Sequence, residues 1–204
     1  MKNKESNFAN KYIEQTIDIL NNINLEDIQK IVSIISKTKN NNGRLFFIGV
    51  GGGAAHASHA VNDFRKIAGI QSYCVTDNVS ELTARINDES WNDSYYQWLS
   101  LNNLQSEDTV FVFSVGGGSE DKNISNNIVR ALEYVKKETL SKVVGIVGPN
   151  GGFTSKVADA CVVLPIKEKE QITPHTEGIQ SIISHMIVSF PNIMYYNTKW
   201  ESLS

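Results

Sequence analysis

The stretch Leu45–Arg65, LFFIGVGGGAAHASHAVNDFR, constrains this chain more than any other. Four apolar residues, Leu45 to Ile48, read as a buried strand that runs into Gly49, Gly51, Gly52 and Gly53, and a helix is predicted to open at Ala54. Glycines at such a turn let a ligand approach the backbone, and the first N–H groups of a helix have no acceptor within it. The helix dipole favours negative charge at the same end, so the turn suits an anion. Further along, His59 and Asp63 stand four residues apart. That spacing puts both on one helix face, where they can meet one ion or one substrate atom.

The remaining chain repeats this strand, turn and helix pattern. Two amphipathic helices come first, with apolar residues at Phe8, Tyr12, Ile13, Ile17 and Leu20 and again at Leu25, Ile28, Ile31, Val32 and Ile35. After the first strand and its helix, Gln71–Thr76 reads as a second strand, and Val79–Ile86 as a helix that breaks into a polar loop, NDESWND, at the mouth of a cleft. Trp91–Leu101 is helical, and Thr109–Phe113 is a third strand running into a second glycine loop, Ser114 to Ser119. A helix over Lys122–Lys136, a strand over Lys142–Val147, a short helix over Phe153–Val157 and a fifth strand over Ala160–Pro165 complete the alternation. Such alternation predicts an α/β fold with a doubly wound parallel five-stranded sheet. The expected organisation is one domain over 1–204, with a helical pair at 1–42 and the α/β core at 43–191. A last long helix should run from Pro174 to Phe190, where Glu177, Gln180 and His185 interrupt an apolar stripe and therefore need partners.

Composition narrows the function. A net charge of −3 gives no basic footprint, which argues against nucleic acid as a ligand. Cys74 and Cys161 lie among β-branched neighbours and read as buried thiols without a disulfide. The first fifteen residues lack a signal peptide's apolar core, and no apolar run reaches the ~18 residues a membrane span needs. A cytoplasmic protein that does not bind membranes is expected.

Two motif readings compete for the first loop. Gly49-x-Gly51-x-x-Ala54 with Asp77 at the end of the second strand partly matches a dinucleotide fingerprint. That reading leaves the second glycine loop, His59 and Asp63 without a role. Two glycine and serine loops at the carboxyl ends of parallel strands better suit one phosphate and the sugar attached to it. His56 and His175 read as surface or capping residues.

Taken together, Gly49 to Asp63, Asn87-Asp88 with Asn92-Asp93, Ser114 to Ser119, and Glu177 with His185 resemble the sugar isomerase (SIS) domain family, most closely the phosphoheptose isomerases. The resemblance spans nearly the whole chain. It implies a SIS-type, flavodoxin-like fold with two amino-terminal helices, an aldose–ketose isomerase, and a homotetramer. It also implies zinc bound by His59, Asp63, Glu177 and His185, with Asp63 and His185 as the acid/base pair. The implied reaction interconverts sedoheptulose 7-phosphate and D-glycero-D-manno-heptose 7-phosphate through an enediol. Gly51, Gly52, Gly53, Ser114, Val115, Gly116, Gly117, Ser119 and Glu177 would hold the substrate, with Asn87 and Asp88 on its hydroxyls. Because the fold also serves in regulators, a non-catalytic sugar-phosphate sensor is the alternative.

The chain departs from the family in ways that bear on the site. The family's first loop reads Gly-Asn-Gly-Gly-Ser, against Gly49-Val50-Gly51-Gly52-Gly53 here. Its second reads Ser-Thr-Ser-Gly-x-Ser, and Val115 and Gly116 replace a hydroxyl pair. Phosphate should then rest on backbone N–H groups with Ser114 and Ser119. In the ligand set, Asp63 stands for Glu and Glu177 for Gln. Eight helical residues span about 12 Å, so Glu177 should either precede the regular helix or reach His185 from another subunit.

Overall fold

A computed structural model describes residues 2–196, with side chains from Asn7 onward. Helices α1 (Lys2–Asn21) and α2 (Leu25–Asn40) precede the first strand; Asn24 caps α2 by accepting the Glu26 N–H. Then come β1 (Leu45–Gly49), α3 (Gly52–Lys66), β2 (Ser72–Cys74), α4 (Val79–Asp88), α5 (Ser94–Leu101) and β3 (Thr109–Ser114). The chain continues through α6 (Asn126–Glu138), β4 (Lys142–Val147), α7 (Gly152–Val157), β5 (Ala160–Val163), a single 3₁₀ turn (Lys169–Gln171) and α8 (Ile172–Val188).

All five strands pair in parallel, in the order β2-β1-β3-β4-β5. A parallel sheet needs cover on both faces, and the strands supply apolar side chains to each in turn. Leu45, Phe47, Phe111, Phe113, Val144 and Ile146 enter one core with α2, α3 and α8. Phe46, Ile48, Val110, Val112 and Val143 enter the other with Tyr95 and Leu99 of α5 and Ile128 and Leu132 of α6. Gln180, polar within the α8 stripe, is buried and donates to the Ile146 carbonyl at 2.8 Å. The helix is thereby tied to β4.

The fold class and element order match the sequence expectation, and several boundaries move. The first glycine helix opens at Gly52 rather than Ala54, since glycines can supply its first turn. Asn87 and Asp88 belong to the last turn of α4 instead of a loop. The helix expected from Lys122 starts at Asn126, because Ser119 and Ile124 pair with each other and pinch residues 119–124 into a small excursion. His175 is not a surface residue. Its ring is buried, stacks on Tyr12 at 4.3 Å between centroids, and has Thr16 Oγ1 at 3.4 Å and Gln15 Oε1 at 3.3 Å, docking α1 on α8.

Candidate functional site

At the centre of the sheet β1 and β3 are neighbours, yet the chain leaves them toward opposite faces, to α3 and to α6. A crevice opens past the carboxyl ends of parallel strands at such a point. The two glycine loops line it.

In the first loop Gly51, at φ +60°, accepts the N–H groups of Ala54 and Ala55 and so starts α3. The N–H groups of Gly51 and Gly52 have no acceptor among the described residues. A Cβ on Gly53 would lie 2.5 Å from the Phe113 carbonyl, so this glycine brings α3 against β3. A Cβ on Gly52 would lie 2.3 Å from the carboxyl carbon of Glu177. That carboxylate stands against the amino end of α3, where a helix dipole favours negative charge.

In the second loop Ser114 Oγ accepts the Gly117 N–H at 3.0 Å. The carbonyls turn toward α7 and the turn before it. Val115 accepts from Gly148, Gly117 from both the N–H and the hydroxyl of Thr154, and Gly118 from Phe153. The N–H groups of Gly116 and Gly118 are left without acceptors among the described residues. Ser119 Oγ accepts the Lys122 N–H at 3.4 Å and its backbone pairs with Ile124. The chain returns to the loop at Ser125, whose carbonyl would lie 3.6 Å from a Cβ on Gly118.

A third group lies between α3 and α8. Asp63 is buried, and Asn62 Nδ2 donates to its Oδ1 at 3.1 Å, which leaves Oδ2 facing two exposed imidazoles. His59 Nε2 and His185 Nε2 each lie 3.3 Å from Oδ2 and 3.1 Å from one another. Zinc binds nitrogen and oxygen at ~2.0–2.1 Å, and tetrahedral angles then hold its ligand atoms about 3.3–3.4 Å apart. The three donor atoms have nearly that spacing and the right chemistry, so the group fits zinc.

Glu177, expected as a fourth ligand, is not in this cluster. It lies inside the regular helix two turns before His185, with its carboxylate at Gly52. Asn87 and Asp88 are exposed and bond each other, and no hydrogen bond ties them to either loop. Two residues, Asn62 and Ser125, escaped the sequence reading, and a third, His56, was read as a surface or capping residue. Asn62 orients Asp63, and only its adjacency could have signalled that. His56 is half-buried near Glu177, His59 and His185; burial holds it below the ordinary imidazole value, Glu177 opposes this, and the other two histidines reinforce it. Ser125 begins α6, and the run Ser-Asn-Asn before an apolar periodicity was its available signal.

A model of the SIS domain matches residues 11–148. The chain belongs to the SIS domain family. A phosphoheptose isomerase of Aneurinibacillus thermoaerophilus is 24% identical over 208 residues, covering 97% of this chain and 99% of that protein. The solved structure of phosphoheptose isomerase GmhA from Neisseria gonorrhoeae shares the fold, with a TM-score of 0.76 at 18% identity over 91% of this chain and 96% of its own. The sugar isomerase domain of an RpiR transcription factor from Sphaerobacter thermophilus also shares it, with a TM-score of 0.58 at 19% identity over 89% of this chain and 87% of that one. Among the described residues no helix is long and apolar enough to cross a membrane.

Proposed function

We propose that this SIS domain is an aldose–ketose isomerase of phosphorylated sugars, with sedoheptulose 7-phosphate and D-glycero-D-manno-heptose 7-phosphate as its pair. The observation that carries this reading is a buried carboxylate in contact with two imidazoles, beside a crevice lined by free N–H groups. Isomerisation moves a proton between adjacent carbons and must stabilise the charge that develops on the carbonyl oxygen. Asp63 takes the proton from the carbon next to the carbonyl, with Oδ2 held toward the site by the Asn62 bond to Oδ1. His185 exchanges a proton with the oxygen, forming the enediol, and the pair returns the carbon proton to the neighbouring position.

Zinc, when bound, would be held by His59, Asp63 and His185 and would polarise the carbonyl. The Glu177 carboxylate, at the first loop, accepts hydrogen bonds from sugar hydroxyls. The phosphate lies at the second loop, where Gly116 and Gly118 offer N–H groups. A homotetramer is supported by exposed apolar pairs on two helices, Ile13 with Ile17 and Ile182 with Met186. Two unpaired thiols, Cys74 and Cys161, fit the reducing cytoplasm.

The test is incubation with sedoheptulose 7-phosphate in D₂O, with and without zinc, followed by NMR. Aldose product and deuterium at the carbon next to the carbonyl are expected. Asp63→Asn should slow both by ~10²–10⁴-fold while binding is retained. Binding without exchange or turnover on any heptose, hexose or pentose phosphate would overturn the enzyme reading and leave a sensor.

A further inference from the structure

Aldose–ketose isomerisation moves protons at oxygen as well as at carbon. Asp63 passes a proton between adjacent carbons, and His185 protonates the carbonyl oxygen to give the enediol. As the enediol collapses, the neighbouring hydroxyl oxygen must lose its own proton to become the new carbonyl. His185 Nε2 is turned into its cluster, 3.3 Å from Asp63 Oδ2 and 3.1 Å from His59 Nε2, where it would also be a zinc ligand. The second oxygen therefore calls for another acceptor.

His56 stands at the right place. Gly52, His56, His59 and Asp63 follow one another at steps of four, three and four residues, which puts them on one stripe of α3. At one end of the stripe the Glu177 carboxylate covers Gly52, and at the other His185 meets His59 and Asp63. Helix α8 thus runs beside the stripe, and His56 leaves α3 between these two contacts, about 4.5 Å of helical rise from His59. The charged and titratable groups that act on its ring come from both ends of the site: Glu177 on one side, His59 and His185 on the other. The ring is half-buried, and neither nitrogen has a hydrogen-bond partner among the described residues. Burial favours its neutral form, which keeps a lone pair free to take a proton.

We propose that His56 is a further catalytic residue, the base that takes the hydroxyl proton as the enediol becomes the product carbonyl. The O–H bond breaks and its proton passes to a ring nitrogen of His56, while an electron pair of that oxygen forms the new C=O bond. The electron pair of the C=C bond takes the proton that Asp63 returns. Exchange with solvent then removes the proton from His56 and restores the one His185 gave up. In the reverse direction protonated His56 donates to the same oxygen. The assignment rests on the isomerase reading and adds a residue to it.

The experiment separates proton exchange at carbon from completed turnover. His56→Gln keeps a polar side chain that cannot take up the proton; His56→Asn serves if that variant fails to fold. With sedoheptulose 7-phosphate in D₂O, the full-length variant should still wash deuterium into recovered substrate, because enediol formation from the ketose uses only Asp63 and His185. Aldose formation should fall by ~10²-fold with KM nearly unchanged. The ratio of exchange to turnover then rises by about the same factor, which a merely structural role of His56 would not produce. A variant that forms aldose at the wild-type rate overturns the assignment, as does one that loses exchange and turnover in equal measure; the isomerase reading stands in either case. A wild-type chain with neither exchange nor turnover on any sugar phosphate overturns both.

Discussion

Single glycines here do different work, although they share one loop chemistry. At Gly52 an added methyl meets the far end of the long Glu177 side chain, 2.3 Å away, which can swing aside. At Gly117 it meets the Gly151 carbonyl at 2.0 Å, and the residue already sits at φ +71°. Gly52→Ala should therefore fold with near-normal stability while weakening sugar-phosphate binding. Gly117→Ala should lose on the order of 2–4 kcal/mol, from left-handed strain and a backbone shift. Urea unfolding of the two variants separates these outcomes, and equal losses would refute the distinction. Reactivity follows burial in the same way. Burial pushes the Cys161 thiol up to about 12 and raises Cys74 as well. Both should resist a thiol reagent at pH 8 in the native protein and react at once in urea.

Among the elements, α1 docks through Ile19 and Leu20 in the core and, nearer its start, around one side chain of α8. His175 gathers Tyr12, Gln15 and Thr16, and one turn on, Asp18 pairs with Lys167 at 2.8 Å. Burial lowers the His175 pKa below 6.5, against a smaller upward pull from Glu168. A histidine lowered in the folded state takes up its proton more readily when released. Its contribution to docking is thus complete above the unfolded value near 6.5 and is lost as pH falls through the folded one. Limited proteolysis of α1 should accelerate between pH 7.5 and pH 5. His175→Gln, which keeps polar atoms without titrating, should flatten that dependence; an unchanged pH profile would remove His175 as the latch. Elements as such were legible from periodicity, since the helices and strands alternate at distinct repeats. The buried fate of His175 was not, because it depends on a helix some 160 positions earlier in the chain.

For the whole molecule, the exposed apolar residues mark where the proposed assembly would form. Ile13 and Ile17 lie 56% and 52% exposed on one side of α1, and Ile182 and Met186 lie 42% and 38% exposed on one side of α8. Faces of this kind are ordinarily buried against another subunit. Ile17→Glu and Ile182→Glu should each shift the sedimentation of the proposed tetramer toward smaller species at micromolar concentration. A wild-type chain that sediments as a monomer would remove the subunit argument altogether.

Local rules were enough for the order of strands and helices, the parallel sheet, both glycine turns and the pairing of His59 with Asp63. Each depends on residues within a few positions of one another, through the strand period, the helix period or the freedom of glycine at a turn. Packing between distant segments decided the rest. The closeness of His185 to Asp63 follows from α8 lying alongside α3, and the same parallel alignment carries Glu177 up to Gly52, away from the imidazoles. The pairing of Ser119 with Ile124, which pinches off residues 119–124 and delays α6 to Asn126, likewise shows no local period in the sequence. Sequence spacing sets which face a side chain occupies, whereas its partner is chosen by whatever the fold lays across that face.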